Sequence, residues 1–249
     1  IVTNGRADYH ALQAKLQRRF SDGLGFNVAF TWSRARGDFL DHLSAGGGAT
    51  GNFPQNAHDM RADYGPLPFD VPRRLVVSFI YELPAGAGRR YQPAGVVGAL
   101  VRDWSVNGIL QVSDGRPFTI TSTDRSNTGP GHASRANCVG DPVPRGFRQT
   151  IDRWFDLAAF AEPAPFTFGN CPYNSVRGPG FRSMNLSLFR NILFAAGRRL
   201  ELRIEAFNVF NWVNFGFPGS SVSTPASFGR IASTLGDPRE MQFAVKFYF

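Results

Sequence analysis

Hydrophobic and polar residues alternate with a period of two through several segments of the chain, most clearly in the last eleven residues. One side of this terminal strand is wholly apolar and the other is mostly polar: Met241, Phe243, Val245, Phe247 and Phe249 against Gln242, Ala244, Lys246 and Tyr248. Such a strand borders two media, which are core and water in a soluble sheet, or lipid and lumen in a membrane barrel. Two features favour the membrane barrel. The sequence ends on an aromatic residue of the apolar side, and the partner strands are longer than a soluble sheet usually needs.

Six further segments show the same alternation and predict strands that are each near the length needed to cross a bilayer at a tilt. They are Asp8–Phe20, Leu24–Trp32, Arg74–Leu83, Val97–Ser113, Phe181–Phe194 and Leu200–Phe210. Ser21-Asp22-Gly23 predicts a tight turn between the first two, since Asp and Gly tolerate the required backbone angles. The terminal strand is the seventh.

The connections between these strands alternate in length. Residues 21–23, 84–95 and 195–199 form short or moderate connections, whereas 34–73, 114–180 and 211–238 form long ones. Transmembrane barrels combine tight periplasmic turns with large extracellular loops in this way. The pattern predicts that every long loop lies on one side of the membrane, and Asp152–Phe160 predicts a short helix inside the longest.

The predicted fold class is all-β, an antiparallel up-and-down transmembrane β-barrel with long extracellular loops. About seven strands are too few to close such a barrel, so we expect residues 1–249 to be the C-terminal portion of a larger one, with further strands before Ile1. No apolar run approaches the roughly 20 residues of a membrane-spanning helix, which excludes a helical membrane protein. Aromatic residues make up 14% of the chain and charged residues 18%, a balance that suits strands with an aromatic lipid face.

The net charge of +8 raises the question of nucleic-acid binding. The arginines are scattered over loops and polar strand faces and form no dense patch. We therefore predict no nucleic-acid partner, and assign the charge to contacts with anionic lipid headgroups and to ion pairs in the lumen.

Candidate chemistry is sparse, and we predict that the protein is not an enzyme and has no cofactor or metal. Cys138 and Cys171 share one long loop, where an extracytoplasmic disulfide is favoured over two free thiols. A solvated polar loop explains a group of potential metal ligands without fixed spacing better than a metal site does: Asp38, Asp41, His42, His58 and Asp59. No Gly-x-Ser-x-Gly elbow supports a hydrolase.

One charged group lies on the polar face of a predicted strand. Glu201, Arg203 and Glu205 are candidate lumen-lining residues, and a structural cross-strand ladder with lumenal neighbours is the favoured interpretation over a permeation path.

Several segments follow one another in order along nearly the whole chain: Tyr9-His-Ala-Leu-Gln-Ala-Lys-Leu, Phe30-Thr-Trp-Ser-Arg, Trp104-Ser-Val-Asn-Gly-Ile-Leu-Gln, Gly115-Arg-Pro-Phe, Trp154-Phe-Asp-Leu-Ala-Ala-Phe, Arg177-Gly-Pro-Gly, Arg203-Ile-Glu-Ala-Phe-Asn-Val-Phe-Asn and the closing Phe-Tyr-Phe. Together they resemble the C-terminal barrel region of TonB-dependent outer-membrane receptors, in particular the Oar-like group. The resemblance implies a barrel of about 22 strands around an N-terminal plug. It also implies binding of an extracellular ligand and import energised through TonB. The matching segments do not include the plug or the TonB-contacting box of these receptors. Energy coupling through TonB is therefore an expectation by analogy.

The resemblance to outer-membrane proteins also implies a role for the terminal strand. Its alternating aromatic residues, Phe243, Phe247 and the C-terminal Phe249, are expected to form the signal that the barrel-assembly machinery reads. The expected location is the outer membrane of a Gram-negative-type bacterium.

Two alternatives remain open. A passive outer-membrane barrel would act as an adhesin or structural surface protein, with the long loops as binding elements. A soluble polysaccharide-binding β-sandwich would instead pack the apolar strand faces against a second sheet. Five residues distinguish barrel from sandwich, since a barrel exposes all of them in one belt: Leu12, Phe26, Phe79, Leu186 and Phe243.

Overall fold

The structure is a computed structural model that describes residues 5–38, 54–56, 58–86, 89–128, 134–194 and 197–249. Its strands are β1 (Ala7–Ser21), β2 (Leu24–Gly37), β3 (Gly65–Pro66), β4 (Arg73–Glu82), β5 (Trp104–Ser113), β6 (Pro117–Phe118), β7 (Thr121–Ser122), β8 (Ser134–Arg135), β9 (Asn137–Cys138), β10 (Phe160–Ala161), β11 (Val176–Arg177), β12 (Phe181–Leu193), β13 (Arg199–Phe207) and β14 (Glu240–Tyr248). The one α-helix in the described ranges is α1 (Gly95–Val101), and 3-10 turns cover Met60–Asp63 and Leu157–Ala159.

Seven long antiparallel strands form one sheet in the order β1-β2-β4-β5-β12-β13-β14, with the short β3 paired to β2. Neighbouring long strands are consecutive along the chain, as in an up-and-down barrel. Within the described ranges β1 and β14 are the edges of the sheet and do not pair with each other. The predicted all-β antiparallel class is confirmed.

The register places the alternating apolar residues of the seven long strands on one side of the sheet, whereas Val76, Ile80, Ile109 and Phe189 lie on the other. Phe26 pairs with Phe79, which pairs with Gly108, and Gly108 pairs in turn with Leu186. Directly paired residues of an antiparallel sheet point to the same side. We call this side, which carries Phe26, Phe79, Leu186 and Phe243, the outer face, and the opposite side the inner face.

Three predicted strand boundaries are wrong. The second strand ends at Gly37 and not at Trp32. The fourth strand begins at Trp104 and not at Val97, because residues 95–101 form α1 and Asp103 takes a positive φ of 65°. The sixth strand ends at Phe207 and not at Phe210, because Asn208 takes a positive φ of 46°. An apolar run without polar residues at every second position does not distinguish helix from strand, which explains why the fourth strand was predicted to begin too early.

The loops also differ in detail from their prediction. The helix predicted at Asp152–Phe160 is only the 3-10 turn Leu157–Ala159, followed directly by β10. The tight turn after β1 is present, with Asp22 and Gly23 at φ values of 51° and 78°. The turn predicted at 195–199 lies partly outside the described residues, since 195 and 196 are not among them.

The long loops pack into a core of their own beyond the ends of the strands. Its centre is a cluster of buried side chains: Phe118, Ile120, Ala136, Phe155, Ala159, Phe160, Cys171, Val176 and Phe228. Edge-to-face contacts join the rings of Phe155, Phe160 and Phe228, with centroids 5.1 to 6.0 Å apart. We call this cluster the loop core.

Candidate functional site

The outer face is apolar and is not covered by another layer of the described chain. None of its side chains belongs to the buried core of the part of the chain that the structure describes. Of the five residues that distinguish barrel from sandwich, Leu12 and Phe243 on the edge strands keep 61% and 70% of their surface exposed, and Phe26, Phe79 and Leu186 are half-buried. A second sheet would bury these side chains, so the described residues do not form the sandwich considered above.

Arginine and tryptophan side chains bracket the apolar part of the outer face. Toward the long loops, the guanidinium of Arg182 lies 5.2 Å from the centre of the Trp212 ring. Toward the short turns, Arg190 lies 5.7 Å from the centre of the Trp104 ring. Side chains of this kind collect at membrane–water interfaces because they combine an apolar body with a polar tip.

The spacing of the two arginines fits the thickness of a membrane. Arg182 and Arg190 both lie on β12, on the outer face, and are separated by about 27 Å of strand at about 3.4 Å per residue. At a strand tilt of about 40° this covers roughly 20 Å along the membrane normal, close to the apolar band of about 25 Å found in outer-membrane barrels. We call the outer-face residues between these two levels the lipid belt.

The charged group predicted on β13 lies on the inner face, and its ion pairs run along the strand. Arg203 is 3.0 Å from a carboxylate oxygen of Glu201 and 3.7 Å from one of Glu205. The contacts across strands come from β12, where Ser187 donates to Glu205 at 3.3 Å and the Phe189 ring lies 4.5 Å beneath the Arg203 guanidinium. The charges of Glu201, Arg203 and Glu205 thus pair with one another, which is the arrangement of a structural network.

The terminal strand β14 pairs with β13 along its whole length, from Arg199 opposite Tyr248 to Phe207 opposite Glu240. Phe243 and Phe247 lie on the outer face with the rest of the lipid belt. Phe249 follows the strand, and its ring lies 6.3 Å from that of Phe247. The aromatic residues assigned to the assembly signal therefore form one exposed apolar row beside an unpaired strand edge.

A disulfide joins Cys138 of β9 to Cys171 at an S–S distance of 2.10 Å. Cys171 is fully buried in the loop core, and its N–H donates to the carbonyl of Ala136 at 3.0 Å. The bond closes a segment with a sequence separation of 33 residues around the core aromatics. It thus holds together the longest connection of the chain.

An ion pair that the sequence did not indicate joins two long loops. Arg135 donates to Asp63 at 2.8 Å, and each of the two side chains is only 4% exposed. Burial raises the pKa of Asp63, and this effect outweighs the opposite pull of the Arg135 charge; burial also lowers the pKa of Arg135. A second bridge, between Arg177 and the buried Asp70, lies nearby in the same loops.

A cavity of about 510 Å³ opens on the inner face where the strands meet the long loops. Arg74, Arg116, Phe181 and Phe217 contribute to its wall. The carboxylate of Asp114, which is paired with Arg73 at 2.7 Å, also lines the cavity, so its wall combines charges of both signs with aromatic rings. Its volume is in the range of small-molecule sites. We call it the mouth cavity.

The described residues contain no group of three or more His, Cys, Asp or Glu side chains that could hold a metal ion. Of the potential ligands considered above, Asp41 and His42 lie outside the described residues. Asp38 instead accepts a hydrogen bond from the Arg6 N–H at 2.6 Å. No helix in the described ranges is long and apolar enough to cross a membrane.

Comparison with known proteins places the chain in a family. The model of the outer membrane beta barrel domain family matches residues 1–242. No curated protein matches the chain. Since the match covers nearly all of the sequence and agrees with an uncovered belt of membrane height, the protein is located in the outer membrane, and the chain belongs to the outer membrane beta barrel domain family.

Proposed function

We propose that the chain is the C-terminal part of a TonB-dependent receptor barrel that takes part in the uptake of an extracellular ligand. In this proposal the seven long strands belong to a larger barrel, because the outer edges of β1 and β14 have no partner strand in the described ranges. Preceding residues supply the remaining strands, the plug and the contact with TonB. The ordered segments that resemble Oar-like receptors support this assignment.

The mouth cavity is the observation that carries the proposal. It lies on the inner face, where a ligand arriving from outside would first reach the lumen. Phe181 pairs with Ser113 and Ser113 with Arg74, so three inner-face residues from neighbouring strands line its floor. A barrel that only displays loops has no need of a cavity open to its lumen.

A passive barrel acting as an adhesin or structural surface protein is the second candidate, and the loop core favours it. The buried aromatic cluster, the Cys138–Cys171 bond and the Arg135–Asp63 ion pair give the long loops a fixed structure. A fixed loop surface is suited to binding another surface without transport.

Binding to TonB separates the two candidates. The complete receptor, purified from outer membranes, is titrated in detergent with the periplasmic domain of TonB from the same organism, and the heat is followed by calorimetry. Import predicts saturable binding, which a porin from the same membranes does not show. Absence of binding by a receptor that still migrates as a heat-modifiable barrel would reject import and leave the passive barrel.

A further inference from the structure

Helix α1 exposes a nearly continuous apolar surface in the connection between β4 and β5. Val96, Val97 and Leu100 keep 77%, 65% and 63% of their surface exposed, and the helix contains no charged residue. The opposite side is closed, because Gly98 is buried against the backbone of Pro93. Three large aliphatic side chains on one short helix are an unfavourable surface in water.

The helix is attached to the outer face of the sheet and not to the lumen. Trp104 donates from its ring nitrogen to the carbonyl of Leu100 at 2.8 Å, and Arg190 donates to the carbonyls of Leu100 and Ala99. Trp104 and Arg190 are direct partners on the outer face. Since they mark the periplasmic edge of the lipid belt, α1 lies at the level where that belt ends.

A groove of about 720 Å³ separates α1 from the ends of β5 and β12. Arg102, Trp104, Arg190 and Ile192 contribute to its lining, together with Asp103 and with Glu82, which is paired with Arg89. Among the described residues Arg102 donates from Nε to the carbonyl of Gly98 at 2.9 Å, which leaves its two terminal nitrogens for another acceptor. Guanidinium groups are well suited to phosphate oxygens.

We propose that α1 and this groove form a phospholipid-binding surface in the periplasmic leaflet of the outer membrane. Val96, Val97 and Leu100 lie among the acyl chains, Arg102 binds the phosphate of the headgroup, and Arg190 holds the end of α1 beside it. The occupant is lipid because the surface continues the lipid belt without interruption and carries the tryptophan and arginine typical of that depth. The inference rests on the outer-membrane barrel and is independent of TonB-dependent uptake.

The depth of α1 is measured on the full-length protein in vesicles of phosphatidylethanolamine and phosphatidylglycerol. A nitroxide is attached to Val97→Cys, and its collision rates with oxygen and with a water-soluble nickel chelate are compared by electron paramagnetic resonance. Val245→Cys in the lipid belt and Val143→Cys in an extracellular loop are the reference positions. We expect Val97 to resemble Val245, with frequent oxygen and rare nickel collisions.

Two other outcomes would overturn the proposal. Frequent nickel collisions at Val97, as at Val143, would place α1 in water. Rare collisions with both reagents would show that protein covers the helix, either a periplasmic partner or another part of the receptor.

Substitutions of the two arginines test the headgroup contact. Arg102→Gln and Arg190→Gln should each raise nickel access at Val97, because the phosphate and the carbonyls at the end of α1 lose donors. Arg198→Gln, an exposed arginine in the next periplasmic turn, should leave it unchanged. Heat-modifiable migration of each variant confirms that the barrel has assembled, and unchanged nickel access in both test variants would contradict the role of the arginines.

Discussion

Phe79 lies across Gly108 on the outer face, so closely that a Cβ atom at position 108 would be 2.3 Å from Cε1 of the ring. The two residues are direct partners between β4 and β5. The same Cβ would be 2.9 Å from Cδ2 of Leu186 on the other neighbouring strand. A glycine that interrupts the apolar alternation is therefore the place where an aromatic ring covers bare backbone of the sheet.

Gly108→Ala should destabilise the barrel, because the added methyl group forces the Phe79 ring out of its position. Overpacking of this kind costs about 1–3 kcal/mol. The measurement is urea unfolding of the full-length protein in lipid vesicles, followed by loss of heat-modifiable migration. Combining Gly108→Ala with Phe79→Leu should recover part of the loss.

Gly5→Ala is the control, since among the described residues an added Cβ there comes within 4.0 Å only of Oδ1 of Asp38. It should unfold as the wild type does. An unfolding midpoint of Gly108→Ala equal to that of the control would contradict the close contact.

Deleting Phe249 from the full-length protein should lower the amount of protein assembled in the outer membrane. Phe249 is fully exposed and touches the ring of Phe247, so its loss removes little packing from the folded barrel. Reduced assembly without reduced stability would indicate that the terminal residues act in recognition by the assembly machinery. Quantitative blotting of heat-modifiable protein in outer-membrane fractions gives the result.

Lys246→Ala is the control for that experiment, because Lys246 is on the inner face of the same strand, opposite Glu201. It should assemble normally. If the Phe249 deletion variant and the wild type assemble to the same extent, Phe249 is not part of the assembly signal.

Arg135→Met should destabilise the loop core by about 3–5 kcal/mol at neutral pH, because it leaves the buried Asp63 carboxylate without its partner. The double variant Arg135→Met with Asp63→Leu should recover most of this loss, since no charge then remains buried. Protease sensitivity of the extracellular loops in increasing urea reports their stability. Arg145→Met, at an exposed loop position, is the control and should be as resistant to protease as the wild type. Equal resistance of Arg135→Met would show that the Arg135–Asp63 pair does not stabilise the loops.

The pH dependence of the same loops has a definite sign. Because burial raises the pKa of Asp63, the folded state binds this proton more tightly than the unfolded state. The contribution of Asp63 to stability is then largest below the ordinary carboxyl pKa and falls as the pH rises through the raised pKa. Asp63→Asn should abolish this component, while Asp22→Asn in the periplasmic turn should retain it.

Replacing both Cys138 and Cys171 with Ser should loosen the loop core while leaving the sheet intact. A disulfide across a separation of 33 residues contributes about 3–4 kcal/mol through the restricted unfolded chain. We expect faster cleavage of residues 139–170 by protease added to intact cells, with unchanged heat-modifiable migration. Cleavage at the wild-type rate in the double variant would show that the buried aromatics alone hold the loop.

The period-two pattern predicted the sheet well because every long strand borders two different media. The residues of the outer face, from Leu12 to Phe243, could be assigned from alternation alone. The same rule failed for α1, where Val96, Val97, Leu100 and Val101 are apolar on a helical spacing that a short run does not reveal. Thus the strands were predictable, and the surface we assign to phospholipid was not.

The loops were least predictable because their structure depends on contacts that are distant in sequence. Asp63 and Arg135 are 72 residues apart and lie in loops that show no periodicity. Arg74 and Arg116 border the mouth cavity only because β4, β5 and the loop after β5 meet there. Only the cysteines carried a local signal in this region, since two thiols in one extracytoplasmic loop favour a disulfide.

The most direct test of the account is lipid-phase photolabelling of β14 in the assembled full-length protein. A membrane-soluble aryl diazirine is activated in outer-membrane vesicles, and modified residues are mapped by mass spectrometry. The account predicts labelling with a period of two, at Phe243, Val245 and Phe247 and not at Gln242, Ala244 and Lys246. Labelling of neither set, or of both sets equally, would contradict a sheet whose apolar face borders the acyl chains.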